Sequence, residues 1–155
     1  MTAQANMPHT IANLLLLTNL AATLFMTGVI WVVQIVHYPL FAGVGQEVFP
    51  MYAADHNTLI TLVVMPAMLM ELGSAALLVL LRPAGFPLWA GVAGLVLVVL
   101  IWGATFFVSV PQHSVLLSGF DATAHRTLVS TNWLRTTLWS GRSLLMLGLT
   151  ARLLL

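Results

Sequence analysis

The first formally charged residue in this chain is Glu47. From about Ile11 to Tyr38 the sequence is nearly unbroken apolar, longer than the roughly 20 residues a bilayer-crossing helix needs. Three further stretches qualify: about 57–81, with the single acid Glu71; about 88–110, uncharged; and about 127–154, with Arg135 and Arg142. A soluble domain carries about 25% charged residues, whereas this chain carries 6%, against 60% hydrophobic. The expectation is an all-α fold. Residues 1–155 form one transmembrane domain, an antiparallel up-down bundle of four transmembrane helices with spans at about 11–38, 57–81, 88–110 and 127–154.

The same arithmetic excludes several function classes. The five basic residues are all arginines spread thinly along the chain, so no patch exists for a phosphate backbone and no nucleic-acid partner is expected. Cysteine is absent, which removes disulfides, thiolate metal sites, iron–sulfur clusters and covalently attached haem. The first stretch is too long for a cleaved leader and lacks a basic start, so it counts as a span of the mature protein. Arg82 and Arg152 flank the spans on one side, while the first long link has acids and no arginine. The positive-inside rule then puts both termini in the cytoplasm and the chain in the inner (plasma) membrane.

The connections refine this outline. Arg82-Pro-Ala-Gly-Phe-Pro87 is a short turn that makes spans two and three antiparallel neighbours. The links 39–55 and 111–124 are apolar enough to lie along the membrane interface. Asp55 and Asp121 precede spans two and four, where a carboxylate caps a helix. Pro66 should kink span two. Gln34-Ile-Val-His37-Tyr-Pro leads to Asp55-His56 and span two, and Val110-Pro-Gln-His113 leads to Asp121, His125 and span four. That parallel suggests a two-hairpin pseudo-repeat.

Alternating helix direction brings Gln34, His37, His56, Gln112, His113, His125, Arg126 and Asn132 to one side, leaving His9 on the other. Neutral imidazole is the commonest metal ligand. His37 and His113 are therefore the best-placed ligands for a metal ion or haem, with His56 and His125 completing a four-nitrogen shell. The competing reading has these histidines hydrogen-bonding headgroups and loop carbonyls.

Charges within the apolar stretches cost on the order of 2.5–3.5 kcal/mol each on insertion scales. Glu71 lies about 22 Å beyond His56 on its helix, and Arg142 about 25 Å beyond His125 on a parallel one. The two are expected to pair inside the bundle, either fixing helix packing or handling a proton or ligand. Asn132, Arg135, Trp139 and Arg142 fall on one face of span four. Arg135 has no acid at its own depth. It either snorkels to the interface or meets an anionic or carbonyl-bearing ligand: a quinone, a polyketide-like phenol, a haem propionate or a lipid headgroup. The residues to hold such a ligand or cofactor are Arg135, Trp139, Arg142 and Glu71. Trp31, Trp102, Phe106 and Phe107 read as core or as a ligand wall. Tyr38 and Trp89 read as interfacial anchors, and Gly94, Gly141 and their small neighbours as close helix contacts.

Trp31-Val-Val-Gln-Ile-Val-His-Tyr-Pro-Leu-Phe41 and Asn132-Trp-Leu-Arg-Thr-Thr-Leu-Trp-Ser-Gly-Arg142 resemble segments of the small bacterial four-span membrane proteins of the anthrone-oxygenase-like group. The length is similar, and so is the Pro-containing exit of the third span, although asparagines are expected there in place of Gln112 and His113. The resemblance implies oxygen-dependent oxidation of a phenolic or quinone-like molecule, with His113, Asn132 and Arg135 as catalytic candidates and Trp139 beside them. Two alternatives stand: a haem- or quinone-binding subunit, and a non-catalytic member of a homo-oligomer or larger membrane complex.

Overall fold

A computed structural model describes the backbone of residues 9–154 and the side chains of residues 10–153; the side chain of His9 lies outside them. Among the described residues all regular structure is helical, without strands. Helix α1 (His9–Val32) runs through a π segment (Val33–His37) into α2 (Tyr38–Leu40) and a short 3-10 turn (Phe41–Gly43). Helix α3 (Phe49–Leu80) comes next. Then α4 (Leu88–Ala104) runs through a second π segment (Thr105–Ser109) into α5 (Val110–Leu116), and α6 (Ala122–Leu154) closes the chain. Three of these rods, Thr10–Gly43, Phe49–Leu80 and Leu88–Leu116, are long and apolar enough to cross a membrane. The fourth, α6, has 33 residues but carries Arg126, Arg135, Arg142 and Arg152 and falls short of that apolarity.

The boundaries differ from the sequence expectation in one consistent way. The links are shorter, because their apolar residues extend the helices. Helix α3 starts at Phe49, with Pro50 in its first turn where no N–H is needed, and it buries Phe49 and Ala53. Asp55 therefore lies inside the helix and caps nothing. Asp121 does cap α6, its Oδ1 accepting from the N–H groups of Thr123 (2.9 Å) and Ala124 (2.7 Å). Helix α3 continues unbroken through Pro66. The 82–87 turn is closed by Phe86 N–H donating to the Pro83 carbonyl, with Gly85 at φ +80° in the third position that demands it.

The rods pack in a ring in which α1 and α4 each touch both α3 and α6. Register is antiparallel around the ring. Asn19 meets Ser74 while His37 meets His56, and Thr27 meets Ser143 while Gln34 meets Asn132. The outer surface is greasy, with Leu14, Leu62, Leu80, Phe107 and Leu144 exposed. Polar side chains point inward instead: Asn19, Thr23, Gln34, Glu71, Asn132 and Arg142 are all buried. Apolar clusters fill both ends, one around Leu16, Leu78 and Met146, the other around Met26, Phe41 and Leu128.

Between those clusters lies the expected ion pair, with Arg142 Nε donating to Glu71 Oε1 at 2.8 Å. Arg142 also donates through Nη2 to Asn19 Oδ1 at 2.8 Å and through Nη1 to the Gly94 carbonyl. Glu71 accepts from Thr23 Oγ1 (2.9 Å) and Trp139 Nε1 (3.0 Å). This one network joins α1, α3, α4 and α6. A Cβ on Gly94 would stand 2.9 Å from Arg142 Nη1, and the guanidinium is pinned on all three nitrogens. Gly94→Ala should therefore cost about 1–3 kcal/mol, read as a lowered unfolding midpoint in detergent; an unchanged midpoint would show the arginine free to move.

Candidate functional site

Both π segments stand one residue before a proline: Val33–His37, Tyr38, Pro39 in the first rod and Thr105–Ser109, Val110, Pro111 in the third. Each is closed by an i to i+5 bond, Tyr38 N–H to Val33 O and Val110 N–H to Thr105 O. Proline lacks an N–H and its ring crowds the carbonyl four residues back; the wider turn accommodates both. Such turns are frequent at functional sites. Here one result is that Tyr38 faces the interior. It is 4% exposed, not the interfacial anchor its position near a span end suggested.

Tyr38 is the hub of the site. Arg135 Nη2 donates to its hydroxyl at 3.1 Å, and the same hydroxyl lies 2.9 Å from His113 Nε2. A guanidinium only donates, so the Tyr38 hydroxyl accepts from Arg135, while the direction of its bond with His113 Nε2 follows the imidazole tautomer. Arg135 Nε donates to Asn132 Oδ1 at 2.9 Å, and Asn132 Nδ2 donates to Gln34 Oε1 at 2.9 Å. Gln34 Nε2 in turn donates to the Val129 carbonyl. Arg135 is thus 7% exposed and held from behind by neutral groups, rather than snorkelling outward. Its Nη1 has no hydrogen-bond partner among the described residues, and it is not among the sealed-off polar atoms.

Arg135 borders a cavity of about 290 Å³. Tyr38, Asn57, Ser109, His113 and Arg135 supply most of its polar edge, while Met26, Ile30, Met65, Met68 and Trp139 supply apolar wall. Of Trp31, Trp102, Phe106 and Phe107, read as core or wall, only Phe106 lines it. Trp31 is exposed against Trp133, donating to Ser140, and Trp102 packs on Phe106.

The four histidines do converge, but around a side chain rather than a vacancy. Phe41, fully buried, has its ring 5.2 Å from that of His37, 5.1 Å from His56, 6.5 Å from His113 and 6.4 Å from His125. His37 Nε2 lies 2.8 Å from His56 Nδ1, and His56 stacks on His113 at 5.4 Å. His125 Nε2 donates to the Tyr38 carbonyl at 2.8 Å. Among the described residues no three of His, Asp or Glu are placed to hold a metal ion together. The four-nitrogen shell of His37, His56, His113 and His125 is therefore not formed, because a benzyl ring occupies its centre and hydrogen bonds divide its members. Of these only His113 lines the cavity, whose volume is at the low end of the about 300–1,000 Å³ typical of small-molecule sites.

Within the span-four stripe, Arg135 and Trp139 line the cavity, Asn132 orients Arg135, and Arg142 does neither. Glu71 and Arg142 sit behind Trp139, with their polar atoms taken by protein partners. Tyr38 and Phe41 were absent from the sequence-derived site; Gln34 was placed on the histidine side, one of three amides in the first apolar stretch with Asn13 and Asn19, but without a role. No protein-family model, curated protein or solved structure matches this chain.

Proposed function

We propose that this chain is a four-span membrane protein whose cavity receives a small aromatic ligand with a carbonyl or phenolic oxygen, a quinone or its phenolic relative, seated against Arg135. A fourth span along α6 is supported by the inward turn of Asn132, Arg135 and Arg142 while Trp133, Leu134, Leu144 and Leu147 face out. One observation carries the ligand reading: a buried guanidinium with no carboxylate partner and one nitrogen unused, bordering an otherwise largely apolar cavity. Among the described residues, the buried charges are two guanidiniums, Arg135 and Arg142, and one carboxylate, Glu71. A buried unpaired cation is costly, and a ligand oxygen would offset that cost.

The chemistry comes from the donors. Arg135, with His113 beside it on the cavity lining, suits a ligand oxygen that gains negative charge, as a carbonyl does on reduction or a phenol on losing its proton. Fixed donors in a site that excludes water stabilise such an oxyanion without reorganising. The anthrone-oxygenase-like resemblance points to the same ligand class and to dioxygen as the oxidant, with Arg135 holding the phenolate form that gives up electrons most readily.

The test is equilibrium binding of a ring-only benzoquinone to the purified protein, read by quenching of tryptophan emission, since Trp139 lines the cavity. Saturable one-site binding is expected. Tyr38→Phe removes the hydroxyl that bonds both Arg135 and His113, and the lost alignment should weaken binding about tenfold, equivalent to about 1.4 kcal/mol. Absence of saturable binding to the unaltered protein would end this reading.

A further inference from the structure

The cavity has a definite mouth. Its lining residues on α1 and α6 are buried or, for Val29, half-buried, so these rods form the back wall. The exposed lining residues are Thr61 on α3 and Phe106, Val110 and Ser114 on the α4–α5 rod. The second π segment shapes that lip. Thr105, Phe106, Ser109 and Val110 all reach the cavity, a spacing of one, four and five that a widened turn presents on one side. Phe106 lies seven residues before His113, about 10 Å deeper along the rod. Beside the mouth, Phe107 is 84% and Leu62 68% exposed, side chains suited to acyl chains and not to water. A volume of about 290 Å³ accommodates a substituted ring and little more.

We propose that the ligand is borne by the lipid phase, its ring against Arg135 and a long apolar tail leaving between α3 and the α4–α5 rod into the bilayer. This rests on the ring-binding reading and adds the substrate class: a prenylated or alkylated ring in place of a tail-free polycyclic phenol. Exchange with the bilayer then needs no opening to water.

The probes are 2,3-dimethoxy-5-methylbenzoquinone and the same ring carrying two isoprenoid units, titrated into the protein in lipid nanodiscs, with affinities expressed per mole of probe in the bilayer. The tailed probe should bind at least tenfold more tightly. Thr61→Trp and Val110→Trp each put bulk at the mouth on exposed positions where folding is not at stake. Each should erase the tail's advantage, lowering the tailed probe's affinity about tenfold more than the ring-only probe's. An advantage that survives both substitutions, or a ring-only affinity that falls as far as the tailed one, overturns the proposal. Equal affinity of the two probes for the unaltered protein also overturns it and leaves the ring-binding reading standing. Failure of both probes to bind removes the two together.

Discussion

Arg142→Met is expected to destabilise the protein by about 3–5 kcal/mol, the largest single effect anticipated for this chain. The side chain is fully buried, and it donates to Glu71, Asn19 and Gly94 at once. Without it, the Glu71 carboxylate keeps only the Thr23 hydroxyl and the Trp139 indole as donors, and a lone buried charge has no counterpart. The paired variant Glu71→Met, Arg142→Met removes both charges and should recover most of the loss, to within about 2 kcal/mol of the parent, because well-packed apolar replacements of buried ion pairs are often near neutral. Unfolding by SDS titration in mixed micelles reads both quantities. Neither residue lines the cavity, so the double variant should retain ring-quinone binding. If it folds yet binds nothing, the pair handles ligand or proton and is not a packing device.

Arg135→Met should act mainly on binding. Binding of the ring-only quinone is expected to fall about 100-fold, equivalent to about 2.7 kcal/mol, within the range for a hydrogen bond from a charged donor. Stability should fall by about 1–3 kcal/mol, the cost of leaving the buried Asn132 Oδ1 without its donor, and by less than for Arg142→Met because no buried acid is left unpaired. Arg135→Lys keeps the charge but loses the fork that reaches Asn132, Tyr38 and the cavity together, so it should recover only part of the affinity. Binding titration and SDS unfolding on the same samples separate the two effects. A variant that binds normally would remove Arg135 from the site, and one as unstable as Arg142→Met would make it structural.

The contrast between these arginines was partly legible beforehand. Both stand in an apolar stretch, and a rise of 1.5 Å per residue sufficed to set Glu71 level with Arg142 and to leave Arg135 without an acid. Asn19 and Thr23, which complete the network, carry no charge and gave no comparable signal. Tyr38 was misread for a geometric reason. One extra residue in a π turn rotates the remainder of the rod by about 100°, which moves a side chain from the outer surface to the interior. Asp55 was misread because Phe49-Pro50 starts α3 earlier than hydropathy indicated.

Sequence alone determined the features that depend on local chemistry and helix pitch. These are long apolar helices suited to a bilayer, an inward-facing polar stripe on α6, four histidines at one end, and opposite charges meeting at depth. Tertiary structure decided which groups touch. Phe41 fills the middle of the imidazoles, Tyr38 joins Arg135 to His113, and the cavity opens between α3 and the α4–α5 rod. Those outcomes depend on how each rod is rotated about its axis and on side-chain volumes arriving from distant segments, and neither quantity is written in the spacing of residues along a single helix.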